Sequence, residues 1–229
     1  MTEFAGDEES VRARLAEVRE RVAAAAQASG RGGELVEILV ATKYVPVEHM
    51  RALVQAGVLL VGENRAQDLV AKHASYGDAF VWDFIGHLQS RKTKLVLPIV
   101  RLIHSVCTMS VVQEIQARAE RPVRVLLEVN LSGEETKSGL RPDAVAAFLE
   151  AASACDKVGF AGLMCMPPLF DDPEQARPLF ARAREYAQRL SEEWRGRYTF
   201  AHLSMGTSAD YEVAVQEGAT IVRVGSVLF

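Results

Sequence analysis

Lys43 closes an apolar, β-forming run, EILVATKYVP at 37–46, and a primary amine in that place has two readings. In one, the side chain snorkels off a strand end into solvent. In the other, the apolar approach desolvates the amine, lowers its pKa and leaves a nucleophile that can attack a carbonyl and form a Schiff base. The residue alone leaves both open.

Two segments near the C-terminus offer different chemistry. HLSMGTSAD at 202–210 and RVGSVLF at 223–229 each combine small residues, hydroxyls and backbone N–H groups, the ingredients of an anion cradle. Gly206 and Gly225 let the backbone approach an anion closely, although two ordinary tight turns would also use them. Arg223 supplies a cation that does not readily lose its proton. It can pair with a phosphate, face the ring nitrogen of a heteroaromatic ligand, or form a salt bridge with a carboxylate inside the fold.

Other candidates carry less. The histidines at 49, 73, 87, 104 and 202 show no metal-ligand spacing and read as core or surface residues, so no metal is expected. SRKTK at 90–94 reads as the solvated start of a helix, and Asp171 and Asp172 before Pro173 as a helix-start signal. TKSG at 136–139 matches the K-T-G of penicillin-binding enzymes without its companion motifs and is a chance match.

The elements that must position these residues alternate regularly. Helical period over 10–29, with Ser10 as cap and Gly30 as stop, is followed by eight apolar runs at 34–42, 57–62, 79–86, 100–106, 122–130, 157–166, 198–205 and 219–225. Every run but the last is followed by a helical stretch. This is the pattern of an α/β protein built as a single-domain (β/α)8 TIM barrel with an extra N-terminal helix. An open doubly wound sheet is the rival, but no glycine-rich phosphate turn follows any run. In a barrel, ligands bind at the C-terminal strand ends, and the loops after strands seven and eight commonly hold phosphate. The strand-end residues there are Lys43, Glu63, Asn64, His87, Gln89, Asn130, 164–166, 204–208 and 223–226.

Composition agrees with a folded domain and excludes some partners. The 229 residues are 49% hydrophobic with a formal charge of −4, so nucleic acid is not expected from charge. Three cysteines without C-x-x-C spacing fit a reducing cytoplasm. The acidic N-terminus does not read as a signal peptide, and no apolar run is long enough for a membrane span. A soluble cytoplasmic chain is expected, with residues 1–9 flexible.

VATKYVP, VGENRAQD, FIGHLQSRK, VNLSGEETKSGL, GLMCM, LSMGTSADYEVAV and IVRVGSVLF, in that order, cover the chain from about residue 10 to its end. Together they resemble the pyridoxal phosphate homeostasis proteins, the YggS/PROSC family, whose fold is similar to the N-terminal barrel of alanine racemase. The resemblance implies pyridoxal 5′-phosphate (PLP) as cofactor and Lys43 as its aldimine lysine. It implies Arg223 at the pyridine nitrogen, Asn64 beside the cofactor, and Ser204, Met205, Gly206, Gly225 and Ser226 around the phosphate. An arginine at the ring nitrogen keeps it unprotonated and weakens the ring as an electron sink.

The chain departs from the usual family pattern at Asp83, Arg91, Thr207, Val224 and Ser226. Ser226 keeps a hydroxyl. Asp83 and Arg91 read as surface changes that put a partner-binding role for 83–91 in doubt. What the resemblance implies is a PLP-binding protein of vitamin B6 homeostasis without turnover, expected to be a monomer and to serve PLP-dependent apoenzymes. The expectation against turnover rests on the missing second domain and second acid/base group of the racemase. The alternatives are a minimal single-domain racemase that uses Lys43 as its base, and a scaffold with a vestigial site.

Overall fold

A computed structural model describes residues 7–31, 36–134 and 137–229. Among them, eight strands form a closed parallel barrel in chain order: β1 Glu37–Ala41, β2 Leu60–Glu63, β3 Val81–Phe84, β4 Leu102–Val106, β5 Val123–Glu128, β6 Val158–Met164, β7 His202–Thr207 and β8 Ile221–Val224. Strand β8 returns to β1 in the register Leu39↔Arg223 and Val40↔Val224. The helices are α1 Glu8–Ala28, α2 Met50–Gln55, α3 Ala66–Tyr76, α4 Thr93–Val96, α5 Met109–Arg118, α6 Pro142–Ala152, α7 Arg177–Glu193 and α8 Tyr211–Gln216. The expected barrel with its extra N-terminal helix is the observed architecture.

Two apolar layers hold it together. Leu39, Leu60, Leu102, Leu126, Ala161, Met164 and Ile221 fill the barrel interior. Val40, Val61, Phe84, Ile103, Leu127, Phe160, Met205 and Val224 face outward into a larger layer beneath the helices. Period-two alternation along strands buried on both faces produces this division. Each fully buried leucine contributes roughly 1.5–3 kcal/mol over an exposed one. Helix α1 lays Val11, Leu15, Val18 and Val22 into the outer layer. Its Arg12 donates to the Gln55 carbonyl at 2.8 Å, and its Arg21 pairs with Glu212 of α8 at 3.2 Å. The helix thus ties α2 to α8, which flank the seam where the last strand meets the first.

Some expectations change. The cap of α1 is Asp7, whose carboxylate accepts from the Ser10 N–H at 2.7 Å, so Ser10 lies within the first turn. Residues 1–6 of the supposedly flexible end, 34–35 of the first apolar run, and 135–136, the second of which opens TKSG, lie outside the described residues, whereas 7–9 belong to the cap and helix. Strand β7 begins at His202 instead of 198, because Tyr198 and Phe200 pack edge-on to each other and Tyr198 to Phe160, with Phe200 at φ 46°. It also continues two residues past the expected end, to Thr207. Asp172 caps the turn at 173–176 by accepting from the Glu174 N–H, as its helix-start reading expects.

Candidate functional site

Strands β7, β8, β1 and β2 are consecutive around the barrel, and their C-terminal ends bring the sequence-identified residues together. Ala41 is in register with Gly62, so Lys43 and Asn64 follow side by side beyond β1 and β2. Gly225, just past β8, has the Ala41 carbonyl and Cβ 3.4 and 3.6 Å from the position a Cβ would take. Thr207 of β7 is in register with Arg223 of β8. The turn at 206–208, the end of β8, Lys43 and Asn64 therefore border one mouth.

Arg223 follows Ile221 on the interior face and is 5% exposed. Its Nη1 donates to the Ser204 carbonyl at 2.8 Å and to the Ser204 hydroxyl at 2.6 Å, and its Nη2 donates to the Cys165 carbonyl at 3.1 Å. Among the described residues it has no ion pair with a carboxylate, so the salt-bridge alternative does not hold. Burial lowers its pKa, yet guanidinium remains a cation. Its Nε–H has no partner among the described residues.

Ser204 is fully buried in the barrel interior, where its hydroxyl meets His104 Nδ1 at 2.9 Å. The hydroxyl therefore lies inside the barrel and not in the turn that follows, because β7 runs on to Thr207. His104 Nε2 lies 3.0 Å from Asp83 Oδ2. Asp83 also accepts from Arg101 at 3.0 and 2.7 Å, and Arg101 pairs with Glu37 at 2.9 and 2.7 Å. Burial raises the Asp83 pKa, but hydrogen bonds from His104 and Arg101 outweigh it and hold the carboxyl below its ordinary range. Burial, against the Asp83 hydrogen bond and charge and together with the charges of Arg223 and Arg101, holds the His104 pKa below its ordinary value, which favours the neutral imidazole at neutral pH. Asp83 is therefore no surface change: it is fully buried.

The turn after β7 has the makings of a cradle. Gly206 stands at φ 90°, and a Cβ there would come within 2.6 Å of Ala214 Cβ and 3.0 Å of Tyr211 Cα, so only glycine fits against α8. Ser208 Oγ accepts from the Gly225 N–H at 2.9 Å, tying the two C-terminal turns together. Thr207 donates through its N–H and hydroxyl to Asp210 at 2.6 and 2.9 Å. Ser226 is exposed at the rim. Met205 faces outward into the apolar layer beneath the helices, leaving only its backbone toward the turn.

Lys43 is exposed, and its ammonium lies 4.7 Å from the centre of the Tyr44 ring. The partial burial expected from the apolar run is absent because the strand ends at Ala41, two residues earlier. For the same reason strand alternation does not separate Tyr44 from the lysine. Behind them, Glu63 is fully buried on the outer face, bonded to the Thr42 hydroxyl at 2.6 Å and to Lys72 of α3. Lys72 also donates to the Thr42 carbonyl at 2.7 Å. Gly86 packs so closely on Asn64 that a Cβ would overlap the Asn64 backbone carbonyl, and Asn64 Oδ1 is buried without a hydrogen-bond partner among the described residues.

The remaining strand-end residues divide. His87 and Gln89 are exposed, and Met166 is 52% exposed at the rim. Asn130 shapes its own loop, accepting from the Ser132 and Gly133 N–H groups at 3.1 and 3.2 Å. Glu128, inward of β5, accepts from Ser138, and its Oε2 is buried without a hydrogen-bond partner among the described residues. Burial, with the Glu128 charge, pushes the Cys107 thiol up to about 11, and burial pushes Cys165 up to about 12, so neither is a thiolate at neutral pH. Among the described residues no group of three or more His, Cys, Asp or Glu is placed to hold a metal, and no helix is long and apolar enough to cross a membrane.

Known proteins resemble this arrangement. Residues 11–229 match the family described as the alanine racemase N-terminal domain. The pyridoxal phosphate homeostasis protein of Aquifex aeolicus is 41% identical over 220 residues, covering 94% of this chain and 96% of its own. The structure of Synechococcus elongatus PipY with PLP bound superposes with a TM-score of 0.83 at 31% identity, covering 96% of this chain and 99% of PipY. A lysine/ornithine decarboxylase from Vibrio vulnificus shares the fold alone, with a TM-score of 0.70 at 14% identity, covering 97% of this chain and 62% of the enzyme.

Proposed function

The chain belongs to the pyridoxal phosphate homeostasis proteins, which carry the alanine racemase N-terminal domain, and from that premise we propose that it holds PLP at the barrel mouth. The observation that carries this reading is Arg223, a buried cation whose terminal nitrogens are bound to protein while its Nε–H is left to meet a ring acceptor. The unpartnered Asn64 Oδ1 and the close-packed turn at Gly206 fit the same group.

The aldehyde of the cofactor supplies a reversible covalent link to a primary amine. Lys43 offers that amine at the mouth. The backbone N–H groups of Ser208 and Ser226, with the Ser226 hydroxyl, receive the phosphate, Gly206 and Gly225 shape the turns that bring them together, and Ser204 and Met205 take part through Arg223 and through the backbone. Asn64 flanks the ring. End-to-end similarity to homeostasis proteins supports holding and delivery over turnover, with the cytoplasm as location, a monomer as the working form and PLP-dependent apoenzymes as recipients. The raised thiols of Cys107 and Cys165 offer no acid/base pair at neutral pH.

Borohydride reduction of protein mixed with PLP, followed by peptide mass mapping, tests the site. The added mass is expected on the peptide bearing Lys43 and absent from Lys43→Ala. A label on another lysine, or none, overturns the reading.

A further inference from the structure

We propose that Asp83, His104 and Ser204 form a buried positioning relay that holds the Arg223 guanidinium so that its Nε–H faces the ligand ring. The inference rests on the PLP reading above and assigns three residues that contact no ligand themselves. Their geometry fixes every proton. Asp83 is an ionised acceptor that already receives two N–H groups of Arg101, so His104 Nε2 must carry the hydrogen it shares with Asp83. A neutral imidazole then presents a bare Nδ1, and Ser204 must donate to it. The serine oxygen is left as acceptor, and Arg223 Nη1 donates to it at 2.6 Å.

No member can reverse its role without leaving a fully buried polar group unpaired, which costs about 1–3 kcal/mol. A protonated His104 would place a further cation between Arg101 and Arg223, both of which oppose it. The His104–Ser204 bond joins β4 to β7 across the lumen, so the guanidinium is held from the opposite wall as well as from its neighbouring strand.

The same three residue types make up hydrolytic triads, but here the serine is fully buried and its oxygen accepts from a guanidinium. It cannot reach a substrate carbonyl. The arrangement orients a cation instead of activating a nucleophile.

The test deletes one atom from the ligand and one from the relay. Affinities for PLP and for its 1-deaza analogue, in which C–H replaces the ring nitrogen, are measured by absorbance titration. The wild type is expected to prefer PLP by about tenfold or more, the range of a hydrogen bond from a charged donor. Ser204→Ala and Asp83→Asn should narrow that preference to about threefold or less, and Ser204→Thr, which keeps the hydroxyl, should restore it. A preference unchanged in Ser204→Ala overturns the relay while leaving the PLP site intact, and a wild type indifferent to the ring nitrogen also overturns it. Absence of any borohydride-trapped PLP on Lys43 is the separate failure of the site itself. A measurement without substitution guards against misfolded variants: ¹⁵N spectra of the ligand-free wild type at neutral pH should show His104 neutral and protonated on Nε2. A proton on Nδ1, or an imidazolium, overturns the relay.

Discussion

Lys72 reaches from α3 to bind Glu63 and the Thr42 carbonyl behind the barrel wall, placing a buried ion pair directly beneath the two residues that follow β1 and β2, Lys43 and Asn64. Both charges are nearly inaccessible, with side-chain exposures of 5% and 0%. Removing one partner strands the other in a place water does not reach.

Lys72→Met should therefore destabilise the fold by about 3–5 kcal/mol, and Lys72→Met with Glu63→Gln by distinctly less, because no unpaired charge remains. Urea unfolding of the two variants checks this. Equal losses would mean that packing, and not charge, holds this corner.

Lys43→Ala should behave in the opposite way. The side chain is exposed and its one described contact is with the Tyr44 ring, so stability should change by no more than about 0.5 kcal/mol while covalent retention of PLP disappears. Thermal unfolding beside borohydride trapping separates the two effects.

Gly206→Ala forces a side chain into a left-handed backbone against α8 and should cost about 2–3 kcal/mol. It should also weaken retention of PLP more than that of pyridoxal, which lacks the phosphate. Comparable weakening for both ligands would remove the turn from the phosphate site.

Acid should weaken the protein in two steps. Burial depresses the folded-state pKa of His104 below its ordinary 6.5, so the unfolded chain takes up that proton first as pH falls through 6.5. The stability His104 contributes is fully present above that pH and declines below it, by up to about 1.4 kcal/mol per pH unit. Asp83, also depressed in the folded state, keeps its contribution above its ordinary 3.8 and loses it as pH falls further. Urea midpoints between pH 7.5 and 5 should fall more steeply for the wild type than for His104→Gln. Parallel slopes would contradict a neutral buried imidazole.

The barrel was legible in the sequence because each strand is a short β-branched run bounded by helical period, and the mouth was legible because barrels gather strand-end residues on one face. The inward place of the Ser204 hydroxyl is not legible, because the continuation of β7 to Thr207 depends on pairing with β8, which no local pattern reports. Asp83 and His104 were missed as a pair because their link to Ser204 joins residues 100 positions apart. A signal was present: VWDF and LIHSV each bury a polar side chain within an apolar run, and in a strand covered on both faces such a group demands a partner. The apolar run before Lys43 leaves its exposure open, because burial depends on where the strand stops, and β1 stops at Ala41.

The bond between His104 and Ser204 crosses a barrel interior that Leu39, Leu60, Leu102, Leu126, Ala161, Met164 and Ile221 already fill. A barrel packed in this way is a plug and not a channel. Anything held at the strand ends has that one doorway for arrival and departure, and whatever covers the doorway sets how long it stays.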